Sequence, residues 1–218
     1  MYSFRETGQR LLKFINENMI TVGIIVAFII AIPSGIWVFN VKKKSASEYT
    51  WYRMSQINSE LLAAEQPNDY DKRIAETIGA YIDIKTNQTT TDATPWLLLR
   101  LGNAQYDNRK FDDAIETYRE LIKKYPHHPA VSLVRLSLGY AYEEKGLMQE
   151  ALSALGGFKE VTGEDNPFIK TQRALDMGRC YEKLGSIEMA KKAYNEVIEL
   201  SPGSDAARLA QYRLETLK

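Results

Sequence analysis

Hydrophobic positions change their rhythm twice along the chain. From Met19 to Val41 they run almost unbroken, MITVGIIVAFIIAIPSGIWVFNV, 23 residues without a charge. As a helix that stretch would be about 35 Å long, enough to cross the ~30 Å hydrocarbon layer of a bilayer. Trp37 and Phe39 near one end suit the headgroup boundary. Pro33 removes one helix N–H, which membrane helices tolerate better than soluble ones. The run is longer than the core of a cleaved signal, and Lys42-Lys43-Lys44 follows it with no A-x-A site before them. Residues 19–41 therefore read as an uncleaved transmembrane helix, and residues 1–18 as a basic tail.

Past the lysines the apolar positions fall into the i, i+3, i+4 spacing of amphipathic helices. Helices are expected near 46–66, 69–86, 94–108, 111–125, 130–145, 148–161, 167–184, 187–200 and 204–217. Thr94-Pro95 and Asn166-Pro167 place a capping residue before a proline at a helix start. Gly146 and Gly185 fall where one helix turns into the next, with Asn108 in the same role earlier. Pro126-His127-His128-Pro129 and Asn87 to Ala93 read as loops.

Three of these helical pairs share one register. Gly102, Gly139 and Gly178 are each followed twelve positions later by alanine: Ala114, Ala151 and Ala190. Four residues further on stands a large side chain, Tyr118, Leu155 or Tyr194, and Pro126 and Pro202 close the first and third copies. Mid-helix glycine costs about 1 kcal/mol relative to alanine, so three at one offset require a packing reason. Small residues there would let the two helices of a pair approach closely, with the large residue filling the space beside the contact. One pair cannot bury its apolar face alone, whereas stacked pairs build a continuous core.

This pattern resembles the tetratricopeptide repeat, W-x2-L-G-x2-Y, then A-x3-F, then P. Leu101-Gly102, Leu138-Gly139, Tyr142 and Tyr181 match it. Leu98, Arg135 and Ala174 stand at the Trp position, and Gly163 stands where the middle copy should close with Pro. The resemblance implies an all-α chain: a single N-terminal transmembrane helix, then a tetratricopeptide-repeat α-solenoid. Its parts would be a degenerate zeroth repeat over 46–92, repeats over 94–128, 129–165 and 166–202, and a capping helix over 203–218. Ala63 and Ala75 would hold the two small-residue positions of the zeroth copy.

Charge and chemistry narrow the function. The chain balances 28 basic against 28 acidic residues, which gives no basic surface for nucleic acid. That balance averages two unlike segments, since residues 1–45 hold six Lys/Arg and two Asp/Glu. A single cysteine, Cys180, excludes a disulfide framework and multi-cysteine metal sites. Cys180 reads as a small buried hydrophobe, with a redox role a distant third among the functional readings. His127 and His128 are the only histidines, adjacent in a loop, so no metal site and no cofactor is expected. No phosphate loop, G-x-S-x-G or H-E-x-x-H occurs, and no catalytic residue is assigned. In the tetratricopeptide fold the first helix of each pair lines a concave groove for other proteins or peptides. By that resemblance the groove residues are Trp96, Leu99, Asn103, Tyr106, Leu133, Leu136, Tyr140, Glu143, Gln172, Leu175, Arg179 and Glu182. A clamp for acidic EEVD-type tails lacks its lysine and its second asparagine.

The arrangement of one membrane helix and three to four repeats resembles the bacterial YfgM family, ancillary subunits of the SecYEG translocon. The likeness is closest over RLLKFINENMITVG, the apolar run and KSASEYT. YPHHPAV and its surroundings also resemble repeats of envelope-assembly proteins such as the Tol–Pal coordinator. Basic flanks of three residues before the span and four after it lean toward a cytoplasmic C-terminal domain. The resemblance implies the reverse: an inner-membrane anchor with periplasmic repeats, working as a protein-interaction adaptor near the translocon and chaperones. The alternative is a structural subunit of an outer-membrane or division complex.

Overall fold

A computed structural model describes residues 4–63, 67–88, 90–157 and 166–217. Ten helices and no strand occur among them. They are α1 (Phe4–Glu17), α2 (Met19–Leu62), α3 (Pro67–Asn87), α4 (Thr94–Asp107), α5 (Phe111–Lys124), α6 (Ala130–Glu144), α7 (Met148–Gly156), α8 (Pro167–Lys183), α9 (Ile187–Leu200) and α10 (Asp205–Thr216). The chain divides into two units, Met1–Glu48 and Tyr49–Lys218.

In the first unit the basic tail forms a helix, α1. In α1 the apolar residues Leu11, Leu12 and Phe14 are exposed. The span is one helix long and apolar enough to cross a membrane, and its apolar side chains are exposed along its length. It runs past Val41 through the three lysines to Leu62, rather than breaking before a separate helix. Pro33 lies inside it without ending it, and the Ser34 hydroxyl donates to the Ile30 carbonyl at 2.7 Å.

The second unit is built of antiparallel pairs. Met54 and Ile57 from the end of α2 pack with Ile74, Ile78 and Tyr81 of α3 and with Leu97 and Leu101 of α4. Pairs α4/α5, α6/α7 and α8/α9 follow, and α10 covers the last pair through Ala207 and Ala210. Leu121 and Val131 join the first two of these pairs, while Ala174, Tyr194 and Val197 centre the last.

What sets the spacing within the pairs α4/α5, α6/α7 and α8/α9 is a large side chain resting on a glycine. An added Cβ at Gly102 would lie 2.3 Å from Tyr118 Cε1, and one at Gly178 would lie 2.5 Å from Tyr194 Cε1. At Gly139 the nearest atom is Leu155 Cδ2, at 3.0 Å. The large residue thus sits on the glycine face itself rather than beside it. Ala114, Ala151 and Ala190 have no exposed surface. The degenerate pair lacks this contact: Ala63 lies in the turn that ends α2, and Ala75 is exposed on α3. Its helices are held by isoleucines and Met54 instead, so the alanine spacing expected there marks nothing.

Of the local signals one holds and two are corrected. Asn166 caps α8, its side chain accepting from the Phe168 and Ile169 amides. Thr94 caps nothing; it opens α4, and its hydroxyl accepts from the Thr91 amide at 2.8 Å. The left-handed turn residue between α4 and α5 is Arg109 (φ 57°), not Asn108, and it matches Gly146 (φ 74°) and Gly185 (φ 71°) in the later pairs. In each case the next amide bonds back to an inner-helix carbonyl: Lys110 to Gln105, Leu147 to Tyr142 and Ser186 to Tyr181. That bond fixes which residue must turn, and the sequence count alone was one position short. The end expected for the 148–161 helix falls partly outside the described residues.

Because an aromatic ring cannot yield as a leucine methyl can, the three glycines should differ in tolerance. Gly102→Ala and Gly178→Ala should each cost about 1–3 kcal/mol. Gly139→Ala should stay within about 1 kcal/mol of the parent, since alanine's better helix propensity offsets a small shift of Leu155. Urea unfolding of the chain in detergent micelles measures this, and equal costs at all three positions would show that the rings do not pin the helices.

Candidate functional site

The first helices of the three pairs, α4, α6 and α8, carry the residues expected in a groove. Asn103 and Tyr106 of α4 and Tyr140 of α6 converge on one cavity of about 220 Å³, with Asp107, Tyr118 and Ser137 completing the wall. Tyr118 links core and cavity, because its ring lies on Gly102 while its hydroxyl donates to Asn103 Oδ1 at 2.8 Å. Burial pushes the Tyr118 phenol well above its usual range, so it stays protonated as a donor.

Farther along, α6 and α8 are joined by charge. The Arg179 guanidinium donates to Glu143 Oε2 at 2.7 Å and to Asp176 Oδ1 at 2.8 Å. Lys183 Nζ lies 3.8 Å from Glu143 Oε1, and Gln172 donates to Asp176 Oδ1 at 3.0 Å. Asp176 is 1% exposed, and burial raises its carboxyl pKa against the opposing pull of Arg179 and the Tyr140 hydroxyl. Burial also raises the Tyr140 phenol, with the Asp176 charge adding to it. The planar Arg179 cation bridges both carboxylates, and Lys183, Gln172 and Tyr140 share the work of offsetting their desolvation.

Other expected groove residues do different work. Leu99 and Leu136 are buried at 9% and 5% exposure and belong to the core, as does Leu175. Leu133 is exposed. Trp96 packs with Trp51 at 6.5 Å between ring centroids and edge-on with His128 at 5.1 Å, joining the degenerate pair to the first repeat. Glu182 accepts from the Tyr194 hydroxyl at 2.8 Å and from Arg213 of α10 at 3.5 Å.

His128 is a structural residue rather than a solvated one. Its Nδ1 accepts from the Ala130 amide at 3.2 Å, and burial lowers its pKa. Cys180 is fully buried, and its thiol donates to Glu143 Oε1 at 3.6 Å. Burial and the Glu143 charge push the thiol up to about 12, leaving negligible thiolate for redox chemistry at neutral pH. No group of three or more potential metal ligands occurs among the described residues.

Asp176, Asp107 and Ser137 escaped the sequence reading, which placed Tyr118 as a packing residue and not in the groove. Asp176 had one usable signal: a carboxylate on the buried face between Ala174 and Gly178, three residues before an arginine.

Residues 99–156 and residues 174–204 each match a tetratricopeptide-repeat family model. No curated protein matches the chain. Among solved structures the chain is similar to a tetratricopeptide repeat protein from Parabacteroides merdae, at 17% identity and a TM-score of 0.54, over 81% of this chain and 60% of that one. It is also similar to MamA, at 21% identity and a TM-score of 0.52, over 71% of this chain and 87% of that one. At such identities the likeness is one of fold. The helices of the second unit form a tetratricopeptide-repeat solenoid.

Removing the bridge should be costly. Arg179→Leu leaves Glu143 and Asp176 without their shared cation and should destabilise the chain by about 2–4 kcal/mol. Arg179→Lys should recover only part, since an ammonium cannot fork between two carboxylates. Urea unfolding of both variants measures this; an unchanged midpoint for Arg179→Leu would mean that the bridge contributes nothing to stability.

Proposed function

We propose that the chain is a non-enzymatic adaptor of the bacterial cell envelope, tethered through residues 19–41 and presenting its inner-helix groove to segments of other proteins. The observation that carries this reading is the convergence of Asn103, Tyr106 and Tyr140, from two successive repeats, on one cavity backed by the rigid Tyr118 contact. Tyrosines combine large contact area with few rotamers to freeze, which makes them economical anchors for an extended or helical peptide. Tethering raises the local concentration of such a groove, so modest affinity suffices. The resemblance to the YfgM family directs the choice of partners toward translocon subunits, periplasmic chaperones and emerging envelope proteins. It also favours an inner-membrane anchor with the repeats in the periplasm.

Two experiments test this reading. A photo-crosslinker placed at Tyr140 in cells should yield discrete adducts with envelope proteins, while one at Asn195, exposed on α9, should not. Identical adduct patterns from both sites would remove the groove from the account. A phosphatase reporter fused after Lys218 should be active, as it is only outside the cytoplasm; an inactive but expressed fusion would place the repeats on the other side.

A further inference from the structure

Two of the inner helices, α4 and α6, end on a carboxylate. Asp107 is the last residue of α4, Glu144 is the last of α6, and neither helix has a basic residue in its last turn. A carboxylate at a helix C-terminus opposes the helix dipole. These two positions correspond in successive repeats, 37 residues apart. Neither side chain has a cationic partner among the described residues. The nearby Arg179 is committed to Glu143 and Asp176. Asp107 also lines the cavity between the first two repeats, where partial burial raises its carboxyl pKa, as expected for a carboxylate losing water without gaining a counter-charge.

Beside it, the Tyr106 phenol is raised first by burial and then by three carboxylates, Glu144, Asp107 and Glu143, against the opposing charge of Arg179. The cavity therefore joins tyrosine faces to a negative rim. At about 220 Å³ it holds several water volumes, room for a long side chain to displace them. An acidic ligand would meet like charge there.

We infer that this cavity receives a lysine or arginine side chain of the bound protein segment. The aliphatic stem lies along Tyr106 and Tyr140, and the cationic head meets Asp107 at the rim, with Glu144 adding to the field. The partner chemistry is thus a basic residue within an otherwise accommodating stretch of polypeptide, the opposite of an acidic tail. This inference rests on the reading of the groove as a protein-binding surface.

The test uses the full chain in detergent micelles, passed over immobilised octapeptides in which one position is varied among lysine, arginine and neutral residues of similar size. The parent should retain the basic peptides about tenfold better than the neutral ones, the ratio that 1.4 kcal/mol gives. Asp107→Asn should bring retention of the basic peptides down to the level of the neutral ones. It should melt no lower than the parent, because it removes a charge that opposes the helix dipole. Retention without a basic preference, or a preference untouched by Asp107→Asn, overturns the inference and leaves the groove standing. A lowered melting temperature would show Asp107 to be a structural residue and would overturn it as well. Retention of no peptide at all overturns the groove reading, and the inference with it.

Discussion

The three repeat pairs of the solenoid depend on a large side chain from the second helix packing directly on a glycine of the first. Tyr118 on Gly102 and Tyr194 on Gly178 are fully buried, and neither leaves room for one added carbon. Such a contact is directional in a way that general apolar packing is not. It fixes the separation of the two helices and their rotation at the same time, because the ring meets backbone rather than a deformable side chain. Leu155 on Gly139 is the softer version, and the middle pair gains its definition from the Arg179 bridge to the next repeat.

The same contacts connect fold to surface. The Tyr118 hydroxyl reaches Asn103 and the Tyr194 hydroxyl reaches Glu182, so each ring that spaces a pair also orients a polar residue on the inner helix. Groove geometry is therefore a product of core packing rather than of loops. Side chains held this way lose little freedom on binding, which favours affinity from a small contact area. Against that rigid background, Asp107 and Glu144 are charges held where the helix dipole disfavours them. Departures from local consistency of that kind concentrate where a protein meets its ligand.

Much of the architecture was legible in the residues. The three glycines, three alanines and three large side chains stand in constant register, and a 23-residue uncharged run announces itself by length alone. Gly102 and Gly178 signalled a close approach because they recur with Gly139 at one offset from an alanine and a large side chain, whereas Gly79 inside α3 meets nothing. What stayed hidden was set by three-dimensional detail. Leu99 and Leu136 carry groove positions by number, yet the packing of α5 and α7 buries them. Glu182 carries a groove position by number, yet it is engaged by Arg213 of α10 and by the Tyr194 hydroxyl. Asp107 looked like any polar residue at a helix end; its significance lies in the neighbours that fail to neutralise it. Ala63 and Ala75 show the converse error, in which a matching count marked residues that touch nothing important.

The most direct measurement of the ring-on-glycine constraint is a double-mutant cycle of Gly102→Ala with Tyr118→Leu, followed by urea unfolding of the full chain in micelles. If the ring is what excludes the extra carbon, the cost of Gly102→Ala should fall by more than about 1 kcal/mol once Tyr118 is leucine. An identical cost in both backgrounds would contradict the account, since the spacing of the helices would then depend on something other than that contact.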